Sequence, residues 1–403
     1  MSTISSVGRT ILRPVQALLL GLLLAGLPPG MAAGQGISVS GQIRPRLEHR
    51  TAPVRSSGEV TTVRLRFRVD ARPAPSFRIL AELQDVRAWG DEPSTLGTYA
   101  AHHLDLHQGF LDVTLGKQWS ARVGRQEIAL GGERLVGAVG WAQQGRSFDA
   151  VRTTLRTSAL SIDVFGAQLT EGATDRLRAP ALLGVYAVAS EGSHTLDVYG
   201  FLSQSSPTDT HQWTTGLRAH GRLGALAYRV EGAAQLGRRS GKQVRSWMFG
   251  MRLGHALPQP FGNLSLWYDH LSGDAAPGDG TVRAFETLFA TNHKFYGYAD
   301  LFLNIPRDTG GRGLRDLALK WSLDAPAGMR IGADFHAFRM AEGSGLATAR
   351  LAEEVDITLS YQINSALKLT GGWSYVWGHR GLAEIGRDAG HYTFNYLMAS
   401  VVF

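Results

Sequence analysis

The sequence predicts an all-β protein, a transmembrane antiparallel β-barrel of about 18 strands preceded by a cleaved signal peptide. Three observations predict it. Hydrophobicity alternates with period two through most of the chain, and successive strand side chains point to opposite faces. Short turn signals (RPAPS at 72–76, GK at 116–117, EGS at 191–193, GRLGA at 221–225, NSA at 364–366) alternate with longer Gly/Asp/Pro-rich stretches at 203–211, 271–282 and 341–350. Short turns at one end and long loops at the other are the layout of such a barrel. Finally, helical periodicity is nowhere sustained, and after residue 34 no apolar run is long enough for a spanning helix, which needs about 20 residues.

The elements follow in order. Residues 1–33 read as a secretory signal: Arg9 and Arg13, then the apolar run ALLLGLLLAGL at 17–27, then small residues at Ala32 and Ala33. A retained anchor helix is the competing reading of this segment. The barrel domain is then 34–403. In 37–47, Gln42, Arg44 and Arg46 oppose Ile37, Val39, Ile43 and Leu47. In 63–70, Arg64, Arg66, Arg68 and Asp70 oppose Val63, Leu65, Phe67 and Val69. Late in the chain, Glu354, Asp356, Thr358, Ser360 and Gln362 oppose Val355, Ile357, Leu359, Tyr361 and Ile363. The same pattern places strands at 37–49, 60–71, 76–89, 104–115, 118–127, 146–156, 158–168, 182–190, 193–203, 212–222, 224–236, 243–254, 262–272, 313–323, 328–340, 351–363, 365–377 and 391–403. The last has two apolar faces, so its orientation stays open. Segment 283–306 reads as a long insertion between two strands.

Bilayer physics then assigns the faces. Every backbone polar group must be paired in lipid, so the sheet must close. The apolar face meets lipid and the polar face lines a lumen, which at this strand number is wide enough for water. Aromatics gather at interfaces, and Trp119, Trp213, Trp247, Trp267, Tyr268, Trp321, Trp373 and Trp377 fall near strand ends. A secreted sandwich or solenoid would not need so many segments with one charged face.

Composition narrows the function classes. The formal net charge is +7, and 36 of the 41 basic residues are arginine. GC-rich coding also enriches arginine, but it does not place arginines at alternate strand positions. Cysteine is absent, which removes disulfides, thiolate nucleophiles and Cys-ligated metals. His102, His103, Asp105 and His107 cluster near a strand start, with His103, Asp105 and His107 on one face. Metal could bind such a face, but hydrogen-bonded histidines are the commoner outcome, and no metal is expected. The loop GDAAPGDG at 273–280 lacks EF-hand spacing. No cofactor motif is present. Secretion and arginines on membrane strands argue against nucleic acid.

Two stretches resemble the bacterial alginate-export family of outer-membrane porins. One is GRQEIALGGERLVGAVGWAQQGRSFDAVR at 124–152, and the other is YDHLSGDAAPGDGTVRAFETLFATNHKFYGYADLF at 268–302. The resemblance implies a monomeric 18-stranded barrel in the bacterial outer membrane, with an arginine-lined lumen that passes an anionic polysaccharide, alginate-like polyuronate, outward. It implies pore roles for Arg125 in the GRQ segment and Arg146 in the RSFDA segment. Asp149 would fix arginine geometry, and His293 and Lys294 would lie near the pore. The sequence departs from the family at Gly132, where an acidic residue is usual, at Ala290 for proline and at Ala299 for methionine. Its loops are also shorter.

Arginines suit such transport. Two unit charges 4 Å apart attract by roughly 1 kcal/mol in water and about 4 kcal/mol at an effective dielectric near 20, so a polymer can pass from one to the next. On alternation alone, Arg44, Arg46, Arg64, Arg66 and Arg68 face the lumen. Each could line the anion path or brace the wall by pairing with carboxylates such as Glu82 or Asp70. The leading expectation is a non-enzymatic channel for anionic polysaccharide or oligosaccharide, in contact with outer-membrane lipid and served by periplasmic export machinery. The alternatives are a porin for uptake of small anions or oligouronates, a barrel lipid hydrolase, and a plugged structural anchor.

Overall fold

The structure, a computed structural model, describes residues 36–51, 58–89, 104–169 and 180–403; the expected signal peptide lies outside them. The strands are β1 (Ile37–Arg50), β2 (Gly58–Ala74), β3 (Phe77–Trp89), β4 (Asp105–Leu115), β5 (Trp119–Gln126), β6 (Phe148–Arg156), β7 (Leu160–Gln168), β8 (Ala181–Glu191), β9 (His194–Ser205) and β10 (Thr210–Leu223). They continue as β11 (Leu226–Arg239), β12 (Lys242–Ala256), β13 (Asn263–Leu271), β14 (Thr281–Val282), β15 (Leu314–Ala325), β16 (Met329–Arg339), β17 (Arg350–Gln362), β18 (Leu367–Gly378) and β19 (Tyr392–Val402). All but the two-residue β14 belong to one antiparallel ring of 18 strands. Each pairs with its sequence neighbours, β13 pairs with β15, and β19 returns to β1. β14 adds only a parallel contact to β12.

Closure leaves no open edge, which is what a lipid-exposed sheet requires. It is completed where the chain ends meet. Gly41 and Phe403 exchange backbone hydrogen bonds of 2.9 and 3.2 Å, and a Cβ at Gly41 would collide with the Phe403 ring. Glycine here lets the terminal aromatic lie across the seam.

The alternation sorts as expected. Leu65, Phe67, Val164, Val185, Leu217, Leu319, Ile357 and Leu359 are exposed, on the face that meets lipid. Arg64, Glu82, Asp197, Glu231, Glu354 and Asp356 are buried on the opposite face. The last strand resolves with Tyr392, Phe394 and Tyr396 inward and Leu397 outward. Exposed Trp119 lies beside the β4–β5 turn, and exposed Trp89, Trp213, Trp247 and Trp377 lie toward the opposite end of the barrel. Trp267 is a departure: it lies beneath Arg252 and Lys320 on the lumen face.

The lumen is filled by two connections that fold inward. The first insert, 127–147, joins β5 to β6. The second, 272–313, joins β13 to β15 and contains the segment read from sequence as an insertion. Ile128, Leu130, Leu135 and Val136 of the first share one apolar core with Phe285, Phe295, Tyr296, Leu301 and Phe302 of the second. The wall contributes Phe148, Phe165, Tyr199 and Phe201 to it. Val136 and Phe289 form a parallel bridge between the inserts. These apolar residues follow no strand period because they pack in an irregular plug.

Candidate functional site

The inserts meet the wall through arginine. Arg44 on β1 donates from Nε to Gln143 Oε1 at 2.9 Å and from its Nη atoms to the carbonyls of Gly140, Trp141 and Ala142 at 2.8, 3.3 and 2.9 Å. Arg46 donates to Trp141 O at 2.7 Å and pairs with Glu48 at 2.7 Å. Directly opposite Arg44 on β2, Arg64 donates to Gln143 O at 3.3 Å and to Gln42 Oε1 at 2.5 Å. Gln143 completes the lock by donating to Thr62 Oγ1 and Arg44 O. A turn with many outward carbonyls needs donors, and a guanidinium offers five in a fixed fork.

The next arginines on β2 are braced differently. Arg66 donates to Gln84 at 2.7 Å and lies 3.4 Å from both Glu82 and Glu127. Arg68 pairs with Glu82 at 2.5 Å, the bracing partner expected from sequence. Asp70 is instead held by Arg78 at 2.6 Å. His107 is buried and faces in, with Nε2 2.7 Å from Glu127 and Nδ1 3.3 Å from Ser147. It ties down both ends of the first insert. His102 and His103 lie outside the described residues.

The residues assigned by resemblance fall in four settings. Arg146 faces in and donates to the carbonyls of Gly137, Phe289 and Ala290, stitching one insert to the other. His293 stacks on Trp141 with ring centroids 4.1 Å apart and bonds Asp300 at 2.6 Å. Lys294 pairs with Glu133 at 2.9 Å. Arg125 and Asp149 are held to each other, away from the other three. They form a two-pronged pair of 2.9 and 3.0 Å, with Asp105 3.6 Å away. Register sets them directly opposite each other with no slip in the pairing. Their neighbours Arg122, Phe148, Ala150 and Arg152 are the inward residues: Phe148 and Ala150 sit in the lumen core, while Arg122 and Arg152 pair with Asp112 and Asp163. Strand alternation therefore turns Arg125 and Asp149 to the outer face at the loop end.

Several residues here were not singled out from sequence. Arg134 bolts the first insert to β11 and β13 through Glu231 and Asp269. Glu354 and Asp356 on β17 accept the backbone N–H groups of Ala299 and Tyr298 at 2.8 and 3.3 Å. Arg134 stands inside a motif already quoted; Glu354 and Asp356 were read only as an inward polar face. Asp334, His336 and Asp356 have the spacing of a metal site, but the Lys320 ammonium, 2.5 Å from Asp334 and 3.0 Å from His336, already supplies the positive charge. In the loop at 273–280, Asp274 and Asp279 are engaged by Arg283 and by backbone N–H groups of the same loop.

The Glu133–Lys294 contact has a pH consequence. Burial pushes the Glu133 carboxyl up, but hydrogen bonds from Thr291 and Lys294 outweigh it and hold it below the ordinary glutamate value. A depressed folded value means that the latch is fully formed above the ordinary carboxylate range and is lost as pH falls through the depressed value. A half-exposed pair of this kind contributes on the order of 0.5–1 kcal/mol. Acidification below about pH 4 should therefore raise proteolytic nicking within the inserts. Glu133→Gln should show the raised nicking at neutral pH and no further acid response. Identical acid profiles for the two proteins would refute the latch.

Comparison with known proteins agrees with the barrel. The alginate-export family profile matches residues 36–350. Among solved structures, Acinetobacter baumannii OccAB1 superposes with a TM-score of 0.67 at 11% identity, covering 93% of this chain and 99% of that one. Pseudomonas aeruginosa OccK8 (OprE) gives 0.66 at 13% identity, with 91% and 98% covered. P. aeruginosa OpdK, solved with vanillate, gives 0.64 at 10% identity, also with 91% and 98% covered. At these identities the likeness shows the fold. No curated protein matches. A closed barrel of 18 strands with an apolar outer face and a family profile over most of its length makes this chain a member of the alginate-export family, an outer-membrane β-barrel channel protein.

Proposed function

We propose that the barrel carries a carboxylate-bearing polysaccharide, an alginate-like polyuronate, outward across the outer membrane along a path lined by arginines of β1 and β2. The observation that carries this reading is the Arg44–Arg64 pair. The two guanidiniums face each other across neighbouring strands, and the hydrogen bonds described for them end on neutral carbonyl and amide oxygens. A neutral acceptor positions a guanidinium without cancelling its charge. Bracing and lining are therefore compatible: the insert is held, and the positive field remains. Low-dielectric walls focus that field and concentrate anions, and rings of arginine give anion selectivity. Arg146, bonded to carbonyls, adds to the same field, as does Lys294 to the extent that Glu133 leaves it unpaired. The reading involves no catalytic step and one barrel per channel. The short-turn end would receive the polymer from periplasmic machinery.

The test is ion selectivity of the refolded mature chain in a planar bilayer, with and without polyuronate. Anion-selective conductance blocked by polyuronate is expected. Arg64→Gln should weaken both selectivity and block several-fold, while outward-facing Arg125→Gln should leave both unchanged. A cation-selective pore indifferent to polyuronate would overturn the proposal. The second reading, a porin for small anions, is favoured by the likeness to OpdK, whose structure contains vanillate. It predicts that small carboxylates permeate and that polyuronate neither enters nor blocks.

A further inference from the structure

The tip of the first insert presses against β8–β11. Gly131 has φ +53°, and a Cβ there would collide with the Tyr186 phenol, so the backbone must approach bare. Gly132 follows beside two guanidiniums. A Cβ added to it would stand 3.4 Å from Arg229 Nη1 and 3.5 Å from Arg218 Nη1. The space beside these cations thus holds no side chain from residue 132.

The charges around this space do not balance. Arg134 lies 3.4 Å from Glu231 and 2.8 Å from Asp269, and Arg218 lies 2.7 Å from Asp197. Those three carboxylates are thereby engaged. Among the described residues, Arg229 and Arg252 have no carboxylate at ion-pair distance. They stand directly opposite each other on β11 and β12, with His220 of β10 opposite Arg229. Arg252 lies over Trp267 at 3.5 Å, and its buried Nε and one Nη lack acceptors. Like charges directly opposite destabilise a sheet. The row is therefore arranged at a cost that a bound anion would offset.

We infer that His220, Arg229 and Arg252, beside the bare Cα of Gly132, form a lumen subsite for one carboxylate group of a passing sugar acid. The inference rests on the polyuronate reading and deepens it. A carboxylate in that space accepts hydrogen bonds from guanidinium forks on two strands, the geometry in which arginine recognises planar anions best. The row lies toward the short turns at 224–225 and 257–262, so a chain entering from that end meets it early in its passage.

Gly132→Asp tests this without removing any arginine, because the new carboxylate would occupy the space itself. Gly132→Asn controls for size, and Arg229→Gln is the second variant. Refolding of each is checked by its heat-dependent gel mobility. Calorimetric titration of trigalacturonate into the detergent-solubilised barrel should give one site at low salt, weakened by salt, with no binding of neutral maltotriose. Gly132→Asp and Arg229→Gln should weaken binding by about tenfold, near 1.4 kcal/mol, while Gly132→Asn stays close to the parent. If the parent binds and all three variants bind equally well, the subsite is wrong and the channel proposal stands. If the parent neither binds trigalacturonate nor is blocked by polyuronate in bilayers, the channel proposal fails and takes the subsite with it.

Discussion

Arg134→Met is expected to cost about 3–5 kcal/mol and to release the first insert from the far wall of the barrel. Arg134 is 3% exposed. It donates to Asp269 at 2.8 Å and to the Tyr296 hydroxyl at 3.0 Å, approaches Glu231 at 3.4 Å, and lies over the Phe295 ring at 4.3 Å. One guanidinium thus binds β11, β13 and the second insert to the first. Burial works against its charge, but Asp269, Tyr296 and Glu231 outweigh that and keep it protonated. Methionine fills similar volume and cannot donate. Asp269 and Glu231, both nearly inaccessible, would then be buried with no cation at ion-pair distance, which is the costly half of breaking a buried pair. Adding Asp269→Asn removes one stranded charge, so the double variant should recover part of the loss. Urea unfolding of the refolded barrel measures both. A loss below about 1 kcal/mol, the range of an exposed pair, would show that the contact is not a structural bolt.

The expected strands and those observed differ at their ends by no more than three residues. Alternation is so legible here because lipid outside and polar lumen inside sort every second side chain. A one-residue slip would reverse the whole strand. The same rule bears on one residue expected at the pore. Arg122 and Arg125 are three apart on one strand and cannot share a face. Arg122 joins Asp112 in the lumen, so alternation favours the outer face for Arg125. Motif resemblance gave the segment, and only alternation gave the face. The inserts were opaque for the opposite reason. Phe285, Phe295, Tyr296 and Phe302 are buried against both inserts and wall, so no period of two or 3.6 marks them. Gln143 shows the same limit: its importance comes from contacts with Arg44, Arg64 and Thr62, all far away in sequence.

Arg44→Ala should raise single-channel conductance several-fold and expose residues 139–143 to protease, while leaving barrel stability nearly unchanged. Arg44 is 6% exposed and serves four acceptors on the first insert. No other residue described in the lumen holds so many of that turn's carbonyls. Alanine leaves the Gly140 and Ala142 carbonyls without a side-chain donor and Trp141 O with Arg46 alone, and a turn with unpaired polar groups moves to where water can reach them. The barrel itself keeps its strand pairing, because Arg44 contributes a side chain and not a ladder bond. The change also deletes one positive charge from the lumen. If Arg44 chiefly lined the path, anion selectivity would fall while conductance and protease resistance stayed as they were. If it chiefly anchors the insert, the pore widens and selectivity falls because larger ions of either sign now pass. Arg44→Lys separates the two effects. Lysine keeps the charge but offers a single ammonium in place of a planar fork, so an anchoring role predicts a protein close to Arg44→Ala. A lining role predicts one close to the parent. The number of neutral acceptors on Arg44 favours anchoring for this residue. The charge it retains while anchoring is what makes the held insert part of an anion path.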